Sequence, residues 1–204
     1  MTRRVQGWAV AAALMMASPA LAYKLVPHGV RVAVAKSALT VQPPIDWNRM
    51  QSRPGRNAEA WTLDGMPLNE VTFYGGIADG QTLFREVDKK RTPLPRFGAT
   101  MLASDVVQLF ESSYRLAGGS ALFSVDDVAP ATFAGRKGFC FAYSFTLKDE
   151  EVKRRGEAMG AIVDGRLYLI SFEAPAIHYY ERNLADYRAL AGTAQLPGAS
   201  VKVS

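Results

Sequence analysis

The chain predicts an α+β fold, a three-layer α/β/α sandwich around an antiparallel sheet. Residues 139–147 alternate large and small side chains without a break. Residues 153–163 and 166–172 flank an Asp164-Gly165 dipeptide, the sequence of a tight two-residue hairpin. Two amphipathic helical patterns, one mid-chain and one near the end, supply a cover for each face of the sheet.

Residues 1–22 read as a secretory leader. Arg3 and Arg4 open it, an apolar stretch of about ten residues follows from Trp8, and Ala20-Leu21-Ala22 forms the small-x-small site of signal peptidase. A membrane span needs roughly 20 apolar residues, so a cleaved signal is expected rather than an anchor. No second such stretch follows, and no cysteine marks a bacterial lipid anchor. Gln6 and Gly7 stand where a twin-arginine signal carries apolar residues, which favours general secretion. The expectation is a periplasmic protein, with 23–204 as a single domain whose core spans about 30–195.

Hydrophobic residues make up 49% of the chain, which excludes a disordered one. Basic residues number 24 and acidic ones 19, and two of the five net positive charges belong to the leader. Such a mixed surface points to no nucleic-acid partner. Cys140 is the sole cysteine, so no intramolecular disulfide forms. Its flanks, Phe139 and Phe141, place it mid-strand, as a small core residue.

Residues 23–29 read as a short leader segment. Residues 30–34 alternate with period two, and 39–41 can return as their partner across Lys36-Ser37. Pro43-Pro44 ends that pair, since neither proline can donate to a ladder. Trp47 follows on a loop or strand start, and 53–57 form a polar turn. Strands at 59–63 and 69–74 stop at Asp64-Gly65 and Gly75-Gly76. Residues 86–97, with Lys89-Lys90-Arg91, Pro93 and Pro95, read as an exposed connection; a basic partner-binding patch is the alternative. The first helix presents Leu102, Val106, Leu109, Phe110 and Ser113 on one face, is capped by Ser104 or Asp105, and ends at Gly118-Gly119. Asp126-Asp127 reads as a solvated turn. The last helix repeats Ile177, Tyr180, Leu184, Tyr187 and Ala191 between Pro175 and Gly192.

The hairpins also predict a register. With 163 opposite 166, Gly160 faces Leu169 and Met159 faces Ile170. With 147 opposite 152, Phe141 faces Ala158 and Phe139 faces Gly160. Large residues then cover small ones. Phe139, Phe141, Tyr143, Phe145, Leu167 and Leu169 share one face; Cys140, Ala142, Met159, Tyr168, Ile170 and Phe172 share the other. Both faces are apolar, so each needs a helix.

Trp47-Asn48, the 139–147 strand, and Asp164-Gly165-Arg166-Leu167-Tyr168 running to Phe172-Glu173-Ala174-Pro175 before a last helix resemble the PsbP/Mog1-like α/β/α sandwich group. The resemblance covers about residues 30–195 by order of elements. It implies an accessory or interaction protein, and it carries over no functional residue.

Chemistry-bearing patterns are few. His28 sits close to the new terminus, and His178 falls opposite the apolar helix face. The chain has no G-x-S-x-G elbow, no histidine pair at helical spacing and no CxxC, so neither a catalytic residue nor a metal or other cofactor is expected. Trp47, Trp61 and Tyr74 are candidates for an aromatic ligand wall, with core burial as the alternative. The leading expectation is a non-catalytic accessory or protein-interaction domain with an unidentified partner in the cell envelope. Its rivals are a binding module for a small apolar or lipid-like ligand and an enzyme with a carboxylate/tyrosine site.

Overall fold

Alternating side chains through the second half of the chain produce four long antiparallel strands, and the first half adds four shorter ones to their edge. The computed structural model describes residues 23–148 and 150–198. The elements are β1 (Tyr23–Val26), β2 (Val32–Ala33), β3 (Thr40–Val41), β4 (Trp47–Met50), β5 (Ala58–Thr62) and β6 (Glu70–Ile77), then α1 (Ala103–Ala117). After it come β7 (Ser120–Phe133), β8 (Arg136–Leu147), β9 (Lys153–Val163), β10 (Arg166–Pro175) and α2 (Tyr179–Gly192).

Eight strands form one antiparallel sheet in the order β1-β4-β5-β6-β10-β9-β8-β7, and β2 pairs with β3 in a separate hairpin. Helix α1 carries the chain from β6, mid-sheet, to the β7 edge. The β7–β10 meander then returns, so that β10 pairs with β6. Helix α2 packs on the opposite face, beside the β2–β3 hairpin. A bridge between Thr40 and Gln195 ties that hairpin to the chain just beyond α2. The α/β/α layering is the expected one.

The register of the hairpins is also as expected. Val163 pairs with Arg166, Gly160 with Leu169, and Met159 with Ile170. Phe141 pairs with Ala158 and Phe139 with Gly160. Gly165 holds φ +68, which the turn requires. At Gly156, a Cβ would lie 2.2 Å from the Tyr143 ring, so only glycine lets that ring lie flat across the strand. Under α1, Phe139, Phe141, Tyr143 and Phe145 pack with Phe110 and Tyr114. Beneath α2, Phe172 stacks on Tyr180 and Tyr187, with centroids 5.8 and 5.2 Å away.

Several expectations are corrected. Residues 23–29 are not merely a leader segment, because β1 pairs with β4 there. Strand β6 runs through Gly75-Gly76 to Ile77, with Gly76 at φ +68 and a register shift opposite Leu167/Tyr168. Asp126-Asp127 is a bulge inside β7 rather than a turn between elements, with Asp127 at φ 51. Helix α1 is capped at Leu102, whose N–H is accepted by Asp105, and the Leu102 side chain is exposed. Pro175 ends β10 instead of opening the last helix, which begins at Tyr179 and leaves Ile177 exposed.

Candidate functional site

Helix α2 does not cover its whole face of the sheet. Tyr187 donates from its hydroxyl to the Ile170 carbonyl at 3.1 Å, and Arg188 forks onto Glu157, with Nε 3.0 Å from Oε2. These contacts seat the helix over β10 and β9. Beside them, β8 and β7 line that face with small side chains, since Cys140 pairs with Ala129 and Gly138 with Ala131, while the larger Phe133 lies further along β7 in the core under α2. The result is a groove of about 570 Å³, with Ala131, Cys140, Ala142 and Met159 on its floor and Tyr187, Arg188 and Gly192 along its wall. Asp127 marks its outer rim, where the bulge ends regular pairing.

The groove's polar groups gather at one side. Tyr180 donates to Glu157 at 3.3 Å, and burial followed by the Glu157 charge pushes its hydroxyl pKa up to about 12. The hydrogen bond to Glu157 raises Arg188 in turn. One satisfied ion pair thus borders an apolar floor, an arrangement suited to binding an apolar surface rather than to proton transfer. Cys140, expected in the core, is half-buried on that floor because no helix covers it.

A second polar cluster lies under α1. Glu70 and Glu173 pair across β6 and β10 on the α1 side. Tyr114 donates to Glu173 Oε2 at 2.7 Å, Arg154 Nε lies 3.6 Å from Glu173 Oε1, and Thr72 donates to Glu70. Arg154 also donates to the Pro67 carbonyl at 2.7 Å. Burial, then the charge of Glu70, lifts the Glu173 carboxyl to about 7, against the opposing pull of Arg154 and Tyr114. Burial raises Glu70 as well. It also pushes Tyr74, Tyr114 and Tyr143 well above the usual phenol range. Sequence reasoning missed these acids, although Glu70, Glu173 and Arg154 stand at core-facing positions of their strands.

This cluster carries a pH prediction. An unfolded chain releases the Glu173 proton near the ordinary 4.5, whereas the fold keeps it to about 7. Between those values the unfolded state binds fewer protons, so stability falls as pH rises. The loss is on the order of 3 kcal/mol and is complete above the higher value. Urea unfolding between about pH 5 and pH 8 should show this slope, and Glu173→Gln should flatten it. A variant with the wild-type slope would place the titration elsewhere.

The three aromatic candidates are not brought together. Trp47 and Trp61 are buried on the α2 side of the sheet, and Tyr74 is buried on the α1 side. They therefore do not face one cavity. His28 is exposed and lies 2.7 Å from Asp46, and His178 is exposed just before α2 at φ 70. The signal-peptidase residues Ala20 and Ala22 lie outside the described residues. Among the described residues no helix is long and apolar enough to cross a membrane, and no group of three or more His, Cys, Asp or Glu residues could hold a metal.

No protein-family model matches the chain, and no curated protein matches it. Solved structures do. The solution structure of cyanobacterial PsbP (CyanoP) from Synechocystis sp. PCC 6803 aligns with a TM-score of 0.53 at 14% identity, covering 91% of this chain and 99% of that one. LpqN of Mycobacterium tuberculosis, described as involved in cell envelope biogenesis, aligns at a TM-score of 0.35 and 11% identity, covering 86% of this chain and 90% of its own. With CyanoP matched over nearly its full length, the fold of this chain is PsbP-like.

Proposed function

We propose that the chain is a periplasmic accessory protein that works by binding a protein partner in the cell envelope, through the groove beside α2. The groove itself carries this reading: a broad apolar floor of small side chains, open to one side, with one ion pair at its border. Such a floor accepts apolar side chains from a partner, because nothing large fills it. The basic start at Arg3 and Arg4, the apolar stretch from Trp8 and the Ala20-Leu21-Ala22 site support export.

A small apolar or lipid-like ligand is the second reading, favoured by a volume within the range of ligand cavities. One variant tests both. Ala142→Arg puts a charge on the groove floor at a half-buried position, and the melting temperature should barely move. Capture of an envelope partner by the wild-type protein should be lost with the variant. If instead an apolar fluorophore binds the wild type and loses its signal in Ala142→Arg, the occupant is a small ligand. Equal capture by both proteins would remove the groove from the account.

A further inference from the structure

Three loops at the hairpin side of the molecule bring together cations that the groove does not use. The β2–β3 turn supplies Lys36, the β4–β5 loop supplies Arg53 and Arg56, and the segment after β6 supplies Arg85 and Lys89. They line a cavity of about 420 Å³ whose lining carries one carboxylate, Glu86. This side of the molecule includes part of the basic segment that reads in the sequence as an exposed connection.

The loops are fastened, so the cations do not simply drift apart. A Cβ on Gly55 would lie 2.2 Å from the Leu83 carbonyl oxygen, which shows how closely the two backbones meet. The Arg85 N–H donates to the Pro54 carbonyl at 2.8 Å. The turn bearing Lys36 is held by the Ala35 N–H, which donates to the buried Glu59 at 3.2 Å.

Their charges are not balanced locally. Glu59 divides its charge between Arg49 and Arg53, and Glu86 divides its own between Arg96 and Lys89. Among the described residues, no carboxylate lies within 4.0 Å of Lys36, Arg56 or Arg85. Arg53 also has a buried Nη1 with no acceptor in the protein. A buried donor without an acceptor is destabilising, and like charges held in a concave site focus a positive field.

We propose that this cavity is an anion site that takes a phosphoryl group. Guanidinium groups pair with tetrahedral oxyanions through two parallel N–H bonds, and ammonium groups add point charges. Three arginines and two lysines converge from separate loops, and Glu59 and Glu86, which pair with Arg53 and Lys89, leave Lys36, Arg56 and Arg85 to an anionic phosphate group. A soluble phosphate compound and an anionic phospholipid headgroup share this chemistry.

Calorimetric titration of the 23–204 protein with pyrophosphate at low ionic strength tests the site, alongside sedimentation with phosphatidylglycerol vesicles. Binding should weaken at least about tenfold in the Arg56→Ala/Arg85→Ala double variant and fall as salt is added. Both side chains are exposed and unpaired with acids, so the melting temperature should hold. Lys36→Ala, on a different loop, should weaken binding in the same direction, which a defect in one loop would not reproduce. Pyrophosphate binding without vesicle binding identifies a soluble phosphate compound; vesicle binding lost in the double variant identifies a headgroup. Equal binding by wild type and double variant, or no binding in either assay, overturns the proposal.

Discussion

Phe141→Ala is expected to destabilise the fold by about 3–5 kcal/mol, and Ala158→Leu by about 1–3 kcal/mol. Phe141 is 2% exposed and sits directly across from Ala158, itself 1% exposed. The Phe110 ring meets it edge-on at 5.2 Å, and Tyr143 lies 6.0 Å away. Removing the ring leaves a void under α1 that β8 and β9 cannot close, because both strands are fixed in ladders with two neighbours. Leucine at 158 pushes against the same ring. In the double variant the new leucine occupies part of the void, so the combined cost should fall below the sum of the singles. Urea midpoints for the four proteins give the coupling directly. Strictly additive energies would mean that the two side chains do not share a space.

That pair was legible in the sequence because three local signals agree. Strand β8 alternates large with small, β9 places Gly156, Ala158 and Gly160 opposite the large ones, and Asp164-Gly165 fixes the next turn. Strand β7 has no such agreement. Its alternation breaks at the bulge between Asp126 and Ala129 and again at Pro130, and its turn to β8 is Ala134-Gly135, with Ala134 at φ 48. An alanine in that conformation gives little sequence signal. Strand β1 is an edge strand that buries only Val26, so it shows no periodicity to read.

The sites were legible only in part. Glu59, Glu70, Arg154 and Glu173 are visible as charges in strands that are otherwise largely apolar. What each meets depends on the pairing of β6 with β10, strands far apart in sequence, and on where the β2–β3 hairpin lands. The groove depends on how far α2 reaches across the sheet. A helix pattern gives the face that packs but not the strands beneath it. Cys140 was therefore assigned correctly to a strand and incorrectly to the core.

Glu59→Ala should cost about 3–5 kcal/mol, the usual range for removing one member of a buried ion pair. Its carboxylate is 3% exposed and holds four groups from separate parts of the chain. Arg49 Nε lies 2.8 Å from Oε1 and Arg53 Nη2 lies 3.4 Å from Oε2. Trp61 Nε1 donates at 2.8 Å and the Ala35 N–H at 3.2 Å. Alanine leaves both N–H donors buried without an acceptor, and it leaves two guanidinium groups, each about three-quarters buried, facing one another. Glu59→Gln keeps an acceptor for Trp61 but loses the charge, so its cost should lie between those of wild type and alanine. Because Ala35 belongs to the β2–β3 turn, the hairpin should loosen first, and Trp61 fluorescence should shift to the red before the sheet unfolds. A loss below about 1 kcal/mol would show that the arginines are as well served by water, as at exposed pairs. The fastening of the Lys36 turn would then come from the packing of Val34 and Leu39 and from the hydrogen bonds that Ser37 makes within the turn.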